Sequence, residues 1–328
     1  MIDTCHARVV LNPQAGHGYG RAGVNSAIAL WRQHGWLVEL TTTEYTGHAT
    51  ELAREAAEAG YDLVVAAGGD GTINEVINGL ACTATALAVL PVGTGNVWVR
   101  ELHLPLEPVE VAEILLQGVF RQLDLGQAGE RYFLLMAGIG FDAYVAGKVE
   151  PGEKRRFGLV AYIVKALRLA RQVRGTPVRL VLDGRPVRGR ALMIVVGNSR
   201  LYGGFLQIAH HASPVDGLLD VVIIKGGDMR VAPLHLLSIF LRQHHFNPDL
   251  DYYRARELSI DTMVPLDVQV DGDTIGHTPL HLRVVPGALR TLLPAGSFDH
   301  LAAFSSPPGQ LLRSARQRIQ SSKLANHP

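Results

Sequence analysis

The sequence predicts a two-part chain, an α/β domain with a parallel sheet followed by a β-rich antiparallel sandwich. Three observations carry this. Over the first ~125 residues, short apolar runs alternate with stretches of helical period, the signature of strands joined by crossover helices. Glycine-rich loops follow three of those apolar runs. After Asp124 the texture changes to short β-type runs separated by turn dipeptides such as Asp183-Gly184 and Asp271-Gly272. With 328 residues, 47% of them hydrophobic, the chain is long enough for about two domains with real cores.

In order along the chain, residues 7–11 read as a buried strand ending at Asn12-Pro13, 20–34 as a helix, 37–42 as a strand and 48–59 as a helix. Residues 63–67 are a strand leading into Gly68-Gly69-Asp70-Gly71-Thr72, and 72–80 form the next helix. Residues 86–90 are a strand leading into Pro91-Val92-Gly93-Thr94-Gly95-Asn96. The second part offers strands at 132–137, 178–182, 192–197, 219–224, 258–261, 266–270 and 280–285, interrupted by helical insertions at 154–173 and 230–245. The expected division is 1–125, 126–298 and a basic tail, 299–328.

Composition excludes several classes. A net charge of +1 carries no nucleic-acid footprint. The two cysteines, Cys5 and Cys82, form neither a disulfide framework nor a zinc pattern, which fits a reducing cytoplasm. Met1 runs through Asp3 and His6 into a strand, so no signal peptide is expected. The longest apolar candidate, 231–241, is too short to span a bilayer and is broken by Pro233 and His235.

The Gly68–Thr72 loop is the most pointed feature. Three glycines let a ligand approach the backbone, and the helix behind them aims its free N–H groups and positive end into the loop. That suits phosphate. Asp70 would repel phosphate, so it reads as a partner for a metal or a proton, which suggests phosphoryl transfer from a nucleotide. The Asn12–Gly16 and Pro91–Asn96 loops belong on the same sheet edge, where α/β sheets bind ligands. The plainer reading of all three is tight βα turns. Neither a Gly-x-x-x-x-Gly-Lys loop nor a protein-kinase motif set occurs, so backbone and dipole would hold the phosphates.

Taken together, Asn12-Pro13…Gly16, Thr43-x-x-x-Gly47-His48-Ala49, Gly68-Gly69-Asp70-Gly71-Thr72 with Asn74-Glu75-Val76, and Pro91-x-Gly93-Thr94-x-Asn96 resemble the catalytic domain of the diacylglycerol kinase family of lipid kinases. Its NAD-kinase-like α/β fold agrees with the fold read above. The resemblance continues through Gly138-Ile139-Gly140-Phe141-Asp142-Ala143, Gly197-Asn198, Tyr202-Gly203-Gly204 and Asp216-Gly217-Leu218-Leu219-Asp220, as in its soluble bacterial branch.

The resemblance implies ATP-dependent phosphorylation of a lipid hydroxyl between two domains. Asn12, Pro13, Gln14, Ala15, Gly16, Thr43, Gly68, Gly69, Asp70, Gly71, Thr72, Asn74, Thr94 and Asn96 would contact ATP. Asp216 with the carbonyls of Ser213 and Leu218 would hold a structural Mg2+, and Asp124 would organise the domain junction or take part in catalysis. Asp271-Gly272-Asp273 stands where the family has Asp-Gly-Glu. Asp273 would then be the base, about 1.5 Å shorter in reach than Glu, with Asp70 the runner-up. Without the resemblance, the same three residues read as a hairpin turn. His17 and Val97 also depart from the family, which carries a basic residue and an Asp there.

A lipid substrate implies contact with a membrane surface, so the expected location is cytoplasmic with peripheral contact at the inner membrane. Residues 154–174 hold seven basic residues and no acid, which suits an interfacial helix or an ordinary amphipathic one. The tail stripe Leu311, Leu312, Ala315 and Ile319 leaves a membrane contact, a homodimer contact and disorder all open. The rival functions are a kinase of a soluble acceptor such as NAD, and a lipid-binding regulator that has lost catalysis.

Overall fold

The computed structural model describes residues 4–18, 20–141, 143, 175–202, 206–225 and 249–302. The basic 154–174 segment, the 230–245 insertion, Asp142, Gly203, Gly204 and the tail beyond 302 lie outside the described residues.

The first half alternates as the sequence predicts: β1 (His6–Leu11), α1 (Gly20–Gln33), β2 (Leu37–Thr42), α2 (His48–Glu58), β3 (Leu63–Gly68), α3 (Asp70–Leu80), β4 (Ala86–Pro91), α4 (Val97–Glu101) and α5 (Pro108–Leu115). The strands are parallel in the order β4-β3-β1-β2. Every residue of β3 and β4 is buried, which is why these strands read as continuous apolar runs instead of alternating ones. Their carboxyl ends, at Leu11, Thr42, Gly68 and Pro91, lie on one edge. Helices α2 and α3 pack closely through Gly79, where a methyl group would lie 2.5 Å from the Thr50 carbonyl oxygen.

The second half contains β5 (Val119–Ala128), β6 (Arg131–Phe133), β7 (Met136–Gly140), β8 (Thr176–Leu182), β9 (Arg185–Gly197), β10 (Leu201–Tyr202), β11 (Leu206–Gln207), β12 (Leu219–Lys225), β13 (Leu250–Ala255), β14 (Glu257–Thr262), β15 (Asp267–Val270), β16 (Asp273–His277) and β17 (Leu280–Leu293), then a short α6 (Ser297–Ala302). The long strand β9 serves two antiparallel layers. Its first half pairs with β8, and its second half pairs with β7 and β12. Ile194, Val196, Leu219 and Val221 point into a core shared with Leu180, Leu258, Ile260 and Leu282 of the other layer. The alternate residues Val195 and Val222 pack on the opposite face against Ile208, Ala209 and Ala212.

Among the departures from the sequence expectation, two bear on how the halves join. The 132–137 run is two strands, because Leu134 and Leu135 turn their N–H groups to a carboxylate instead of a neighbouring strand. The expected boundary at residue 125 falls inside β5. Strand β17 pairs along β5 and then, at Thr291, reaches Leu87 of β4, so the sandwich continues into the parallel sheet. No described helix is long and apolar enough to cross a membrane.

Candidate active site

The three glycine loops meet at the carboxyl edge of the parallel sheet. Asn12 donates its backbone N–H to the Ala67 carbonyl (2.9 Å) and its side-chain amide to the Thr72 hydroxyl (3.1 Å). Its Oδ1 accepts the Gln14 N–H, folding Pro13 and Gln14 into an exposed turn before the 3₁₀ turn Ala15–Gly18. Thr43 joins the same edge by donating its N–H to the Leu11 carbonyl (2.9 Å). Gly16 has φ +58°, and a methyl group there would lie 1.9 Å from the Val92 carbonyl oxygen. A methyl on Gly93 would lie 2.5 Å from Cα of Gly69, and one on Gly68 would strike the Thr72 side chain at 2.4 Å. The loops therefore lock together through bare backbone. Gly16→Ala and Gly93→Ala should each lower stability by about 1–3 kcal/mol, as read by thermal unfolding.

Helix α3 starts at Asp70, two residues before the expected start. Its N-cap, Gly69, supplies no side-chain acceptor. No side chain thus caps the first turn, whose N–H groups and positive end suit an anion, and a methyl on Gly71 would meet nothing within 4 Å, so this side is open. These features fit a polyphosphate. Asp70 turns toward the third loop, where its Oδ1 accepts the Val97 N–H at 2.7 Å. Val97 itself is 8% exposed and packs in the core, so this backbone contact joins Asp70 to the start of α4. Thr94 is exposed at the loop tip. Asn96 is buried, holds the Gly93 carbonyl through its amide (2.7 Å), and leaves its Oδ1 enclosed without a partner.

Asn74 does not join the loop group. It is 1% exposed and faces the second half of the chain. Its amide donates to Asp271 Oδ2 (2.9 Å) and to the Tyr132 carbonyl (3.2 Å), and its Oδ1 accepts from Arg131 (2.9 Å). The expected ATP contact is therefore replaced by a tether between α3 and the β15–β16 hairpin. Asp271 is the centre of that tether. Its Oδ1 accepts the N–H groups of Leu135 (3.0 Å) and Met136 (2.8 Å), and its Oδ2 also accepts that of Leu134 (3.0 Å). Burial pushes its carboxyl up to about 6, against the opposing pull of these donors. Asp273, two residues on, is exposed and pairs with the same Arg131 at 3.3 Å. Asp70 and Asn74 are four residues apart, so they share one face of α3 about 6 Å apart along the axis.

Asp124 is 6% exposed, and both carboxylate oxygens accept backbone donors, Gly217 (2.7 Å) and Gly287 (2.8 Å). Burial raises its pKa against those two bonds. It fastens the 213–218 loop to a bulge in β17, each oxygen holding one backbone donor of this junction.

In the expected metal set, Asp216 with the carbonyls of Ser213 and Leu218, the side chains already have protein partners. The Ser213 hydroxyl donates to the Leu301 carbonyl (2.7 Å). Asp216 accepts the Leu218 N–H (3.1 Å) and forms a buried ion pair with Arg254. Among the described residues, no group of three His, Cys, Asp or Glu side chains could hold a metal ion.

Residues 6–128 match the diacylglycerol kinase catalytic domain, and residues 136–293 match the YegS C-terminal NAD kinase beta sandwich-like domain. A diacylglycerol kinase of Bacillus subtilis (strain 168) is 32% identical over 277 residues, 83% of this chain and 91% of its own. The chain belongs to the diacylglycerol kinase family. A YegS-like relative from Pseudomonas putida is 35% identical over 278 residues, 84% of this chain and 91% of its own. The crystal structure of a diacylglycerol kinase from Bacillus anthracis str. Sterne superposes with a TM-score of 0.75 at 25% identity, covering 88% of this chain and 97% of that one. Membership in this kinase family makes the chain a phosphotransferase.

Several residues of this family member were not singled out by sequence reasoning. Glu75 sits in a recognised motif, yet its use is tertiary: its carboxylate accepts the Ala49 N–H (3.1 Å), serving the start of α2, whose N-cap Gly47 has no side chain. Asp271 belongs to the Asp-Gly-Asp motif, which in sequence draws attention to Asp273 and gives Asp271 no role of its own. Arg131 carries no motif. Arg200, which is 7% exposed, joins Glu101 of α4 at 2.6 Å, a second tether between the halves.

Proposed function

We propose that this kinase is an ATP- and Mg2+-dependent lipid kinase acting on the hydroxyl of diacylglycerol or a related lipid alcohol, giving a phospholipid such as phosphatidic acid. One observation carries the reading. A single helix, α3, presents its uncapped N-terminus and Asp70 to the glycine cradle, and one turn later Asn74 holds the hairpin that bears Asp273. Donor and acceptor machinery are thereby indexed to the same element.

When bound, MgATP supplies the phosphoryl group and much of the charge neutralisation. The Asn12, Gly68–Thr72 and Thr94 loops would hold the phosphates through backbone donors and neutral side chains, and Asp70 would be the carboxylate available to a phosphate-bound metal. Asp273 takes the proton from the lipid hydroxyl, directly or through one water. Arg131 holds that carboxylate in place and competes for it. The relatives' names point to the lipid acceptor, and such a substrate brings the protein to the cytoplasmic membrane surface as a peripheral enzyme.

The test is an acceptor panel: purified protein, labelled ATP and Mg2+ against diacylglycerol, monoacylglycerol, sphingosine and ceramide in mixed micelles, plus NAD in buffer. Label in a lipid product supports the proposal, and label only in NADP overturns it. On the acceptor side, Asp273→Asn should lower kcat by about 100-fold or more, and Asp273→Glu should retain activity. Its exposed pair with Arg131 contributes at most about 1 kcal/mol, so the melting temperature should stay unchanged. An unimpaired Asn variant removes Asp273 from the role.

A further inference from the structure

Asp216 is the one member of the expected metal set that would bind through its side chain, and that side chain already has a cation. Its Oδ2 accepts from the Arg254 guanidinium, and its Oδ1 accepts the Leu218 N–H at 3.1 Å. Arg254 lies on β13 directly across from Asp220 on β12. Its Nε is 3.4 Å from Asp220 Oδ2, and Asp220 Oδ1 accepts the Tyr252 hydroxyl at 2.5 Å. The side chains of Arg254, Asp216 and Asp220 are 4%, 6% and 0% exposed, so the cluster is dry. Burial alone would pull Arg254 down, but Asp220 and Asp216 outweigh it and hold the guanidinium above the ordinary arginine value.

A divalent cation on Asp216 would need direct oxygen contact at about 2.1 Å. It would then share the carboxylate with a guanidinium, in a site where like charges are poorly screened. The residues present do not fit a metal. We propose that Arg254 is the resident cation of this locus. It holds the 213–218 loop in the shape that lets Gly217 donate to Asp124, which in turn anchors Gly287 of β17. The folded protein then needs no divalent ion here, and any Mg2+ requirement belongs to the nucleotide.

The test uses the full chain without nucleotide or lipid, so its outcome is independent of the lipid-kinase reading. Thermal unfolding in EDTA and in millimolar MgCl2 should give the same midpoint, and a Mn2+ titration followed by electron paramagnetic resonance should find no tight site. Arg254→Met keeps the stem and removes the charge. It should gain a Mg2+-dependent rise in midpoint and one Mn2+ site, both abolished by adding Asp216→Asn. A tight Mn2+ site in the unaltered chain that Asp216→Asn removes, with a lower midpoint in EDTA, would overturn the proposal. So would a folded Arg254→Met variant indifferent to Mg2+. If Arg254→Met does not fold, the two measurements on the unaltered chain still decide.

Discussion

Asp271→Ala is expected to cost about 3–4 kcal/mol of stability, because four buried donors lose their acceptor at once. Those donors are the N–H groups of Leu134, Leu135 and Met136 and the amide of Asn74. No rearrangement of the short β6–β7 connection can supply a replacement carboxylate, and the hairpin would come away from α3. Asp271→Asn is a sharper test of the same geometry. It keeps one oxygen for two donors but turns an NH2 group toward the other two, for a loss of about 2 kcal/mol. Denaturant unfolding reads both. kcat should also fall with either change, since the hairpin carries Asp273. A near-neutral Asp271→Ala would mean that the tether does not hold the two halves in register.

Asp70→Asn should abolish most activity while leaving the fold intact. Asparagine retains an Oδ1 to accept the Val97 N–H now bonded at 2.7 Å, so the start of α4 is kept. What disappears is the negative charge at the mouth of the glycine cradle. The expected loss is about 100-fold or more in kcat, the scale of removing one preorganised electrostatic group from a phosphoryl-transfer site. The unfolding midpoint should move little. Equal loss in kcat and kcat/KM would place the effect in the transition state. A variant of ordinary stability and ordinary kcat would leave Asp70 as a loop fastener only.

The roles of the acids are hard to read locally for one shared reason. Asp70, Asp216 and Asp273 look alike in one dimension, each a carboxylate beside glycine, while Asp124 stands between two leucines. Three of the four are distinguished by backbone N–H groups or a cation brought from more than twenty residues away: Val97 for Asp70, Gly217 and Gly287 for Asp124, Arg254 for Asp216. Such partners depend on strand register, and register across β12 and β13 leaves no local mark. The parallel strands were legible because burial on both faces makes continuous apolar runs, and the loops because bare backbone requires glycine. Leu134 and Leu135 misled for the opposite reason: they are apolar and buried, yet their N–H groups serve Asp271 and so break a strand that the side-chain pattern continues. Arg254 did leave a faint signal, a charged residue at a strand position whose register partner, Asp220, is buried among Leu219, Val221 and Val222.

The central claim is that α3 aligns a nucleotide cradle with a lipid hydroxyl. It is tested most directly by the mass spectrum of a long-chain diacylglycerol after incubation in mixed micelles with the purified protein, ATP and Mg2+. The expected product is a lipid heavier by one phosphoryl group, formed by the unaltered protein and not by Asp70→Asn. An unmodified lipid alongside an active, folded protein that phosphorylates only a soluble acceptor would contradict it.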